Sequence, residues 1–461
     1  MNEPLLHLLA DGRPGVGAGH LGRSLALAQS WLGAQGIARL VGVPDASDWA
    51  DRYRAAGIEV GEGRVAPDVL VVDGYRYPPS RVHECAAGAP IVSIDDHGTG
   101  SHAGAALVVD QNLGATDAPY GRPTAGVLAG PRYALLRPEV VACRPASPID
   151  RSAPPHRIAL AMGGDPTPAT RQRFDAVAAD LAAAHGLDVV VLSGIRDLGP
   201  VLADVDLALS AAGSTLWELA LFGIPTVAVA VADNQVPVAR RAGAAGLVVD
   251  AGDIGTVTAD ELLAKVIALA ADPLRRQALA AAGQTAVDGS GARRVATAAR
   301  SLLVRLRRAR ADDARQLWEW ANDPTVRASA FDPAPIAWDD HVAWLQRLLG
   351  RDGSAVWIAV DPTGVPLGQV RVEVDGAGRG TVDVSLAPER RGQGWAGAVL
   401  AAIARRAAAD LEPHGLRELV ASVLVGNESS ARAFVSADFT PGPDGSTGGR
   451  QHHTYTRPCD G

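Results

Sequence analysis

A histidine stands in a glycine-rich turn near the start of the chain. Residues 15–29 read GVGAGHLGRSLALAQ, which places Gly17, Gly19, His20 and Arg23 between an apolar run and an Ala/Leu-rich helical pattern. Glycines at such a turn let backbone N–H groups approach an anion, which the dipole of the following helix also favours. An unperturbed imidazole titrates at about pH 6.5, so it can act as a general base around neutrality. The turn therefore predicts a phosphate site with a base beside it.

A second group of small and polar residues follows two later apolar runs. Gly163 and Gly164 end the run RIALAMGG, and Ser214 and Thr215 precede a helical segment that holds Glu218. Backbone N–H groups and hydroxyls at the start of a helix suit a phosphate, and a carboxylate can accept both hydroxyls of a ribose. These residues predict that a nucleoside diphosphate binds here.

Other polar side chains also come directly after apolar runs. Asp73 ends VLVVD, Asp95 and Asp96 follow PIVSI, and Asn234 and Gln235 follow PTVAVAV. We expect the aspartates to orient the histidine or a sugar, and the two amides to contact the sugar or the diphosphate. Each feature also has a simpler interpretation, because aspartates cap turns, amides open helices and a lone glycine turn is often only a tight connection.

Short strands must position these residues. Apolar runs bounded by Gly, Pro or Asp alternate with helical patterns at 5–10, 38–43, 69–74, 90–95, 106–110, 157–164, 187–194, 205–211 and 225–231. This alternation is typical of buried parallel strands separated by helices. A Pro/Ser/Arg-rich segment at 140–157 interrupts it, so we expect two Rossmann-like lobes at 1–142 and 155–300. A ligand between them would lie at the carboxyl ends of the strands.

The composition restricts the partners. The chain has 461 residues, 47% of them hydrophobic, and a formal net charge of −8, which gives no basic field for nucleic acid or anionic lipid. Cys85, Cys143 and Cys459 lie far apart in the sequence, so we expect neither a disulfide scaffold nor a metal site. We also expect the protein to function in a reducing cytoplasm. No apolar run approaches the roughly 20 residues that span a membrane.

The composition changes near residue 300. Six of the nine tryptophans lie between residues 318 and 395, and runs of alternating hydrophobicity predict an antiparallel sheet with one covered face. One of these strands leads into a helix through a loop that fits the pattern R-x-x-G-x-A: Arg391, Gly392, Gln393, Gly394, Trp395 and Ala396.

Residues 305–461 resemble the GCN5-related N-acetyltransferases (GNAT), with the likeness spanning about 305–458. The resemblance implies an α+β domain whose glycine loop, with Leu386, Asn427 and Ser430, binds acetyl-coenzyme A. Phe434 departs from the family pattern, since many members carry a tyrosine general acid there. Glu373 and Asp383 could relay the proton of the acceptor amine, or could simply face solvent.

Residues 1 to about 300 resemble the UDP-sugar hydrolases of pseudaminic acid biosynthesis. The matching segments are GAGHLGRSLALA, VVDGY, SIDDHG, GPRYALLRPE, GGDP, SAAGSTLWELALFGIP, DNQ and DGSGARR. The resemblance implies a fold of the glycosyltransferase-B type, with His20 as the general base that activates water against the anomeric carbon. It also implies that the UDP-sugar binds without a metal, to Gly17, Gly19, Arg23, Asp73, Gly163, Gly164, Ser214, Thr215, Glu218, Asn234 and Gln235.

Together the two resemblances imply a bifunctional enzyme. It would acetylate the amino group of a UDP-4-amino-4,6-dideoxy sugar with acetyl-coenzyme A, and would then release UDP and a 2,4-diacetamido-2,4,6-trideoxyhexose. Two alternatives stay open: a UDP-sugar-dependent glycosyltransferase with an accessory acetyltransferase domain, and a nucleotide-sugar-binding scaffold. The sequence leaves the sugar stereochemistry, the acyl donor and the oligomeric state open.

Overall fold

The chain folds into two compact units. The computed structural model describes residues 3–12, 19–42, 47–63, 65–75, 77–96, 98, 104–116, 118–121, 123–147, 149–164, 166–195 and 197–459. One unit, here called the N-terminal unit, holds residues 2–32 and 37–295. The other, the C-terminal unit, holds residues 33–36 and 296–461.

The first half of the N-terminal unit is a parallel sheet flanked by helices. Its strands are β1 (Leu5–Ala10), β2 (Ile37–Leu40), β3 (Glu59–Val60), β4 (Val69–Asp73), β5 (Ile91–Ile94), β6 (Leu107–Asp110) and β7 (Val127–Ala129). Its helices are α1 (Gly19–Gly33), α2 (Ser47–Ala55), α3 (Pro79–Ala86) and α4 (Pro138–Ala142). The strands lie in the order β3-β2-β1-β4-β5-β6-β7. The order reverses between β1 and β4, which pair in parallel.

The second half is also a parallel sheet. Its strands are β8 (Arg157–Ala161), β9 (Asp188–Val191), β10 (Leu207–Ala211), β11 (Thr226–Ala230) and β12 (Val249–Asp253), in the order β12-β11-β10-β8-β9. Its helices are α5 (Pro168–His185), α6 (Leu198–Ala203), α7 (Thr215–Leu221), α8 (Val236–Ala244), α9 (Ala259–Ala271) and α10 (Pro273–Ala286). The next helix, α11 (Gly291–Ser301), begins in this unit and ends in the C-terminal unit. Here the order reverses between β8 and β10.

Local sequence signals account for the ends of these helices. The Thr167 side chain accepts the N–H of Thr170, Pro168 occupies the first turn of α5, and Gly186 ends that helix with φ 64°. A capping box of Thr258 and Glu261 begins α9. Such caps satisfy backbone groups that the helix leaves unpaired.

Apolar side chains fill both faces of the second sheet. Trp217 and Phe222 are buried on one face, and Phe174 is buried on the other. Burying one side chain of this kind contributes about 2 kcal/mol. Because both faces are covered, the strands form continuous apolar runs rather than alternating ones.

Two buried arginines fasten the segment that joins the two sheets. Arg151 donates to the carbonyls of Val205, Phe222 and Gly223 in the second half of the unit. Arg276 donates in turn to the carbonyl of Arg151 and to those of the two residues that follow it. The end of the linker is therefore part of the second half.

The C-terminal unit is a mixed sheet covered by helices. Its strands are β13 (Arg305–Arg308), β14 (Ser354–Val360), β15 (Pro366–Val374), β16 (Arg379–Leu386), β17 (Glu418–Leu424), β18 (Thr440–Thr447) and β19 (Arg450–Pro458). Its helices are α12 (Ala314–Ala321), α13 (Pro324–Ala328), α14 (Trp338–Leu349), α15 (Trp395–Leu411) and α16 (Glu428–Ser436). The strands lie in the order β13-β14-β15-β16-β17-β19-β18.

The fold confirms most of the predicted strands and corrects one expectation. All nine predicted runs of the first 300 residues contain a strand, while β3, β7 and β12 were not predicted. The sheet of the C-terminal unit is not purely antiparallel, because β16 and β17 pair in parallel over residues 379–381 and 418–420. Beyond these residues the two strands no longer pair.

Candidate functional site

The two sheets bring the predicted residues together through their strand order. His20 lies at the start of α1, which follows β1, and Asp73 is the last residue of β4. Since β1 and β4 are the neighbours at which the order reverses, these two residues lie at the point where such sheets form the crevice for ligands. In the second sheet, β8 and β10 stand at the corresponding point, and Gly163 and Ser214 follow them.

His20 forms a dyad with Asp73. The Nδ1 atom of His20 lies 2.5 Å from Oδ1 of Asp73. His20 is 6% exposed and Asp73 is fully buried. A carboxylate only accepts hydrogen bonds, so the proton of the neutral ring stands on Nδ1 and the lone pair on Nε2. Among the described residues, Nε2 has no hydrogen-bond partner.

Arg23 holds the dyad from the next turn of α1. Its Nε donates to Oδ2 of Asp73 at 2.8 Å and its Nη2 donates to Oδ1 at 2.7 Å. The same Nη2 lies 3.1 Å from Nδ1 of His20, but its closer partner is the carboxylate. Ser24 adds a fourth donor group to Asp73. The carboxylate is therefore fixed in position beneath the imidazole.

A second carboxylate completes the network. Asp96 accepts both hydrogen bonds of Arg23 Nη1, at 3.1 Å each, as well as bonds from the Tyr75 hydroxyl and the Asn112 amide. The Tyr75 ring also meets His20 edge-on, with 4.9 Å between ring centroids. Tyr75 thus packs against the base, and Asn112 helps to hold Asp96.

Charge and burial act in opposite directions on these carboxylates. Burial alone would raise the pKa of Asp73, but the Arg23 charge and the His20 hydrogen bond hold that pKa below its ordinary value. Burial also acts to raise the pKa of Asp96, but the Arg23 charge and the hydrogen bonds from Tyr75 and Asn112 lower it to about 2. Burial and the neighbouring Asp96 raise the pKa of Tyr75. Both aspartates are therefore ionised, and Tyr75 is neutral, at neutral pH.

A cleft of about 580 Å³ opens between the two sheets of the N-terminal unit. From the first sheet and its helices it is lined by Gly19, His20, Gly22, Arg23, Trp49, Arg52, Tyr75, Asp96, Gln111 and Asn112. From the second sheet it is lined by Gly163, Gly164, Gly213, Ser214, Thr215, Glu218, Asn234 and Gln235, among others. The volume lies within the range of small-molecule sites.

Glu218 faces the cleft with an arginine beside it. Its Oε1 lies 3.6 Å from Nη2 of Arg137, and Nη1 of the same arginine lies 3.6 Å from Glu139. Burial raises the pKa of Glu218, although Arg137 opposes this effect. A partly buried carboxylate at the carboxyl edge of β10 is suited to accept hydroxyl groups of a ligand.

Several predicted roles change once the side chains are placed. Asp73 is 0% exposed, so it cannot contact a sugar directly, and Arg23, although it lines the cleft, donates to two carboxylates. Asp95 accepts the backbone N–H of Asp96 and lies outside the cleft lining. Gly17 lies outside the described residues.

The two amide residues after β11, Asn234 and Gln235, differ in their surroundings. Asn234 is exposed at the cleft, whereas the Gln235 side chain accepts the backbone N–H of Val231. Sequence reasoning missed Tyr75, Asn112, Arg137, Trp49 and Arg52. Tyr75 and Arg137 belong to the segments VVDGY and GPRYALLRPE, which carry the resemblance to the hydrolases. The sequence of α2, which holds Trp49 and Arg52, contains no motif.

The glycine loop of the C-terminal unit has the geometry of an anion site. Gly392 and Gly394 both have φ 73°, in the left-handed region. Alternating conformations of this kind turn successive N–H groups toward one point. The 17-residue helix α15 starts directly after Gly394, with Trp395 buried and Ala396 partly buried. The loop therefore suits a pyrophosphate.

The polar side chains around this loop mainly stabilise it. Arg391 donates to Asp323 at 2.7 Å and to the carbonyl of Leu386 at 3.3 Å, and Gln393 donates to the Glu389 carbonyl. Asn427 caps α16 by accepting the N–H of Ser430 at 3.2 Å. Direct contacts of these side chains with a cofactor stay a prediction.

Comparison with known proteins identifies the C-terminal unit. The family model described as "Acetyltransferase (GNAT) domain" matches residues 304–440. This part of the chain is a GNAT domain. Acetyl-coenzyme A is the co-substrate that fits a domain of this family. No curated protein sequence matches the chain.

Two solved structures are similar to the GNAT domain. One is spermidine N-acetyltransferase from Vibrio cholerae in complex with coenzyme A and spermine, with 15% identity, a TM-score of 0.31, and coverage of 34% of this chain and 95% of that one. The other is an aminoglycoside acetyltransferase in complex with coenzyme A and kanamycin, with 18% identity, a TM-score of 0.30, and coverage of 34% and 94%. Structural similarity at these TM-scores does not indicate which acceptor the domain uses.

The residues considered as proton carriers of the GNAT domain either form ion pairs or are buried against other side chains. Asp383 lies 2.8 Å from Arg371, and Glu373 lies 3.0 Å from Arg351. Phe434 is buried and stacks against Tyr455, with ring centroids 5.7 Å apart. Phe434 has no titratable group to protonate the thiolate.

The described residues hold neither a membrane-spanning helix nor a metal-binding cluster. No helix in these ranges is long and apolar enough to cross a membrane. Within the same ranges, His, Cys, Asp and Glu side chains form no cluster of three or more that could hold a metal ion.

Proposed function

We propose that the chain is a bifunctional nucleotide-sugar enzyme. Its GNAT domain acetylates the 4-amino group of a UDP-4-amino-4,6-dideoxy sugar, and its N-terminal unit then hydrolyses the anomeric C–O bond. The products are UDP and a 2,4-diacetamido-2,4,6-trideoxyhexose of the kind used for pseudaminic-type acids. The His20–Asp73 dyad at the cleft is the observation that carries the hydrolase half.

The dyad supports base catalysis by His20. Since Asp73 accepts the Nδ1 proton and Arg23 holds that carboxylate in place, the lone pair on Nε2 can take a proton from a water molecule. The water oxygen then attacks the anomeric carbon, the bond from that carbon to the UDP oxygen breaks, and the configuration inverts. Asp73 stabilises the imidazolium that forms, as the aspartate does in other histidine-based sites.

The second sheet supports binding of the leaving group. The backbone of Gly163 and Gly164 and the hydroxyls of Ser214 and Thr215 line the cleft where a diphosphate would lie. Glu218 stands one turn further along α7 and would accept the ribose hydroxyls. Because α7 has only seven residues, we assign the phosphate contacts to these local N–H and O–H groups rather than to the helix dipole.

The GNAT domain supplies the acetyl half. The loop at Gly392 and Gly394 would hold the pyrophosphate of acetyl-coenzyme A, which brings its acetyl group as a reactive thioester. The acceptor amine attacks the thioester carbonyl, the carbon–sulfur bond breaks, and the amine proton passes to solvent. The residue that protonates the thiolate stays unassigned.

A direct assay tests both halves. The full chain is incubated with UDP-4-amino-4,6-dideoxy-β-L-AltNAc and acetyl-coenzyme A, and free thiol and UDP are followed by mass spectrometry. We expect both to appear, with UDP dependent on His20. Thiol without UDP would remove the hydrolase activity, and UDP without thiol would remove the acetyltransferase step. In His20→Ala, thiol release should persist while UDP release is lost.

A further inference from the structure

A tryptophan and an arginine on α2 line the cleft without a role in the reaction described above. Trp49 and Arg52 are one turn apart, and the guanidinium carbon of Arg52 lies 4.7 Å from the centroid of the Trp49 ring. Both line the cleft together with His20. A guanidinium over an aromatic face is a favourable arrangement, so the two side chains hold each other in place.

The helix that carries them is fixed against α1. The hydroxyl of Tyr53 donates to the carbonyl of Leu21 at 2.9 Å, and Tyr53 is fully buried. At Gly22 a β-carbon would stand 3.6 Å from Cη2 of Trp49, which is ordinary van der Waals contact. The Trp49–Arg52 pair is therefore held on the wall of the cleft that also carries His20.

The chemistry of this pair suits an amide rather than an amine. An acetamido group offers a methyl that packs on an indole and a carbonyl oxygen that accepts from a guanidinium. An ammonium group beside Arg52 meets a like charge. The nearby carboxylates offer little compensation, because Asp73 is fully buried and Asp96 already accepts from Arg23, Tyr75 and Asn112.

We infer that Trp49 and Arg52 form a subsite for an acetamido group of the sugar. The inference rests on the proposed function, and it gives the cleft a preference for the N-acetylated UDP-sugar over its free-amine precursor. Acetyl transfer must then supply the substrate of the hydrolytic step. The two reactions follow in a fixed order because the second site selects the product of the first.

Rates of UDP release from the two sugars test the subsite. Wild type is given the diacetamido UDP-sugar, or its 4-amino precursor without acetyl-coenzyme A. We expect kcat/KM to favour the acetylated sugar by about 100-fold. Arg52→Gln should narrow this ratio about tenfold, since it removes the like charge. Trp49→Ala should raise KM for the acetylated sugar about tenfold through lost packing.

Matched measurements separate the subsite from a fault in folding. Arg54→Gln changes an exposed arginine of the same helix that pairs with Asp51, and should leave the ratio unchanged. The Kd for UDP alone should stay within about twofold in all variants, because UDP binds the second sheet. An unchanged ratio in Arg52→Gln, or a parallel loss of UDP affinity in both subsite variants, would overturn the inference.

Calorimetry keeps the inference testable if wild type releases no UDP. Binding of the two UDP-sugars is then compared directly in His20→Ala and in the Arg52→Gln/His20→Ala double variant. A preference for the acetylated sugar that depends on Arg52 supports the subsite even where hydrolysis fails. Equal affinities in both proteins would remove the subsite, whatever the reaction is.

Discussion

Asp73 and His20 join the end of β4 to the start of α1 through a 2.5 Å contact between Oδ1 and Nδ1. The residues are 53 positions apart in the chain, and the contact exists because β1 and β4 are neighbours in the sheet. An arginine one turn after the histidine clamps the same carboxylate. The base is therefore held by the topology as well as by its own helix.

Replacing Asp73 tests the dyad. In Asp73→Asn the amide cannot hold a charge, and the Nδ1 proton is no longer fixed. We expect UDP release to fall by about 100-fold or more, the scale of positioned proton transfer. The free energy of unfolding should fall by about 3 kcal/mol, since Arg23 loses a buried partner. UDP release and urea unfolding measure the two effects.

The control for this variant is Asp68→Asn, which changes an exposed aspartate just before the same strand. It should retain near wild-type UDP release. Thiol release by the GNAT domain, measured in the same preparation of Asp73→Asn, should also persist. Unchanged UDP release in a folded Asp73→Asn would contradict the dyad.

Acid should weaken the N-terminal unit through Asp96. Its pKa is about 2 in the folded chain against an ordinary 3.8, so the ionised form stabilises the fold by about 2 kcal/mol above pH 4. That contribution disappears as the pH falls from about 4 to about 2. Urea unfolding of wild type and Asp96→Asn at pH 7, 4 and 3 should show a difference that shrinks with acid. A pH-independent difference would count against this account.

Glu218 should govern affinity for the nucleotide. Hydrogen bonds to a charged group contribute about 2 kcal/mol each, so Glu218→Gln should raise the Kd for UDP by about tenfold or more. Glu139→Gln is the matched control, because Glu139 lies the same 3.6 Å from Arg137 but outside the cleft lining. Titration calorimetry with UDP measures both. Equal effects would assign the loss to Arg137 instead.

The glycine loop of the GNAT domain can be tested without creating a clash. A β-carbon at Gly392 would meet no atom within 4 Å, so Gly392→Ala adds only the strain of a left-handed conformation, about 1 kcal/mol. We expect KM for acetyl-coenzyme A to rise about fivefold, with UDP release unchanged. Gly376→Ala, which is equally open but lacks a positive φ, should match wild type. A matching rise in Gly376→Ala would refute the loop assignment.

The strands were predictable because burial on both faces leaves a strong apolar signal. Val69–Asp73 and Thr226–Ala230 form continuous apolar runs, and the structure places a strand at each. Glu59–Val60 and Val127–Ala129 escaped prediction because two or three residues at a sheet edge carry little pattern. The parallel pair of β16 and β17 also escaped, since pairing direction depends on the chain between the strands.

The site residues were easier to find than their roles. Arg23 and Asp73 stood at the right strand and helix ends, but sequence could not tell that they bind each other rather than a sugar. Burial decides that question, and burial depends on contacts between distant segments. Trp49 and Arg52 carried no signal, because an aromatic and a basic residue one turn apart on a helix are common on surfaces.

The hydrogen bonds of Arg151 determine which half of the N-terminal unit the end of the linker moves with. Arg151 donates hydrogen bonds to carbonyls of the second half, and Arg144 donates one to the carbonyl of Asp288. A lysine offers three N–H groups from one atom and could not reach the divergent carbonyls that Arg151 satisfies. Any movement between the two halves therefore carries the segment at Arg151 along with the second half.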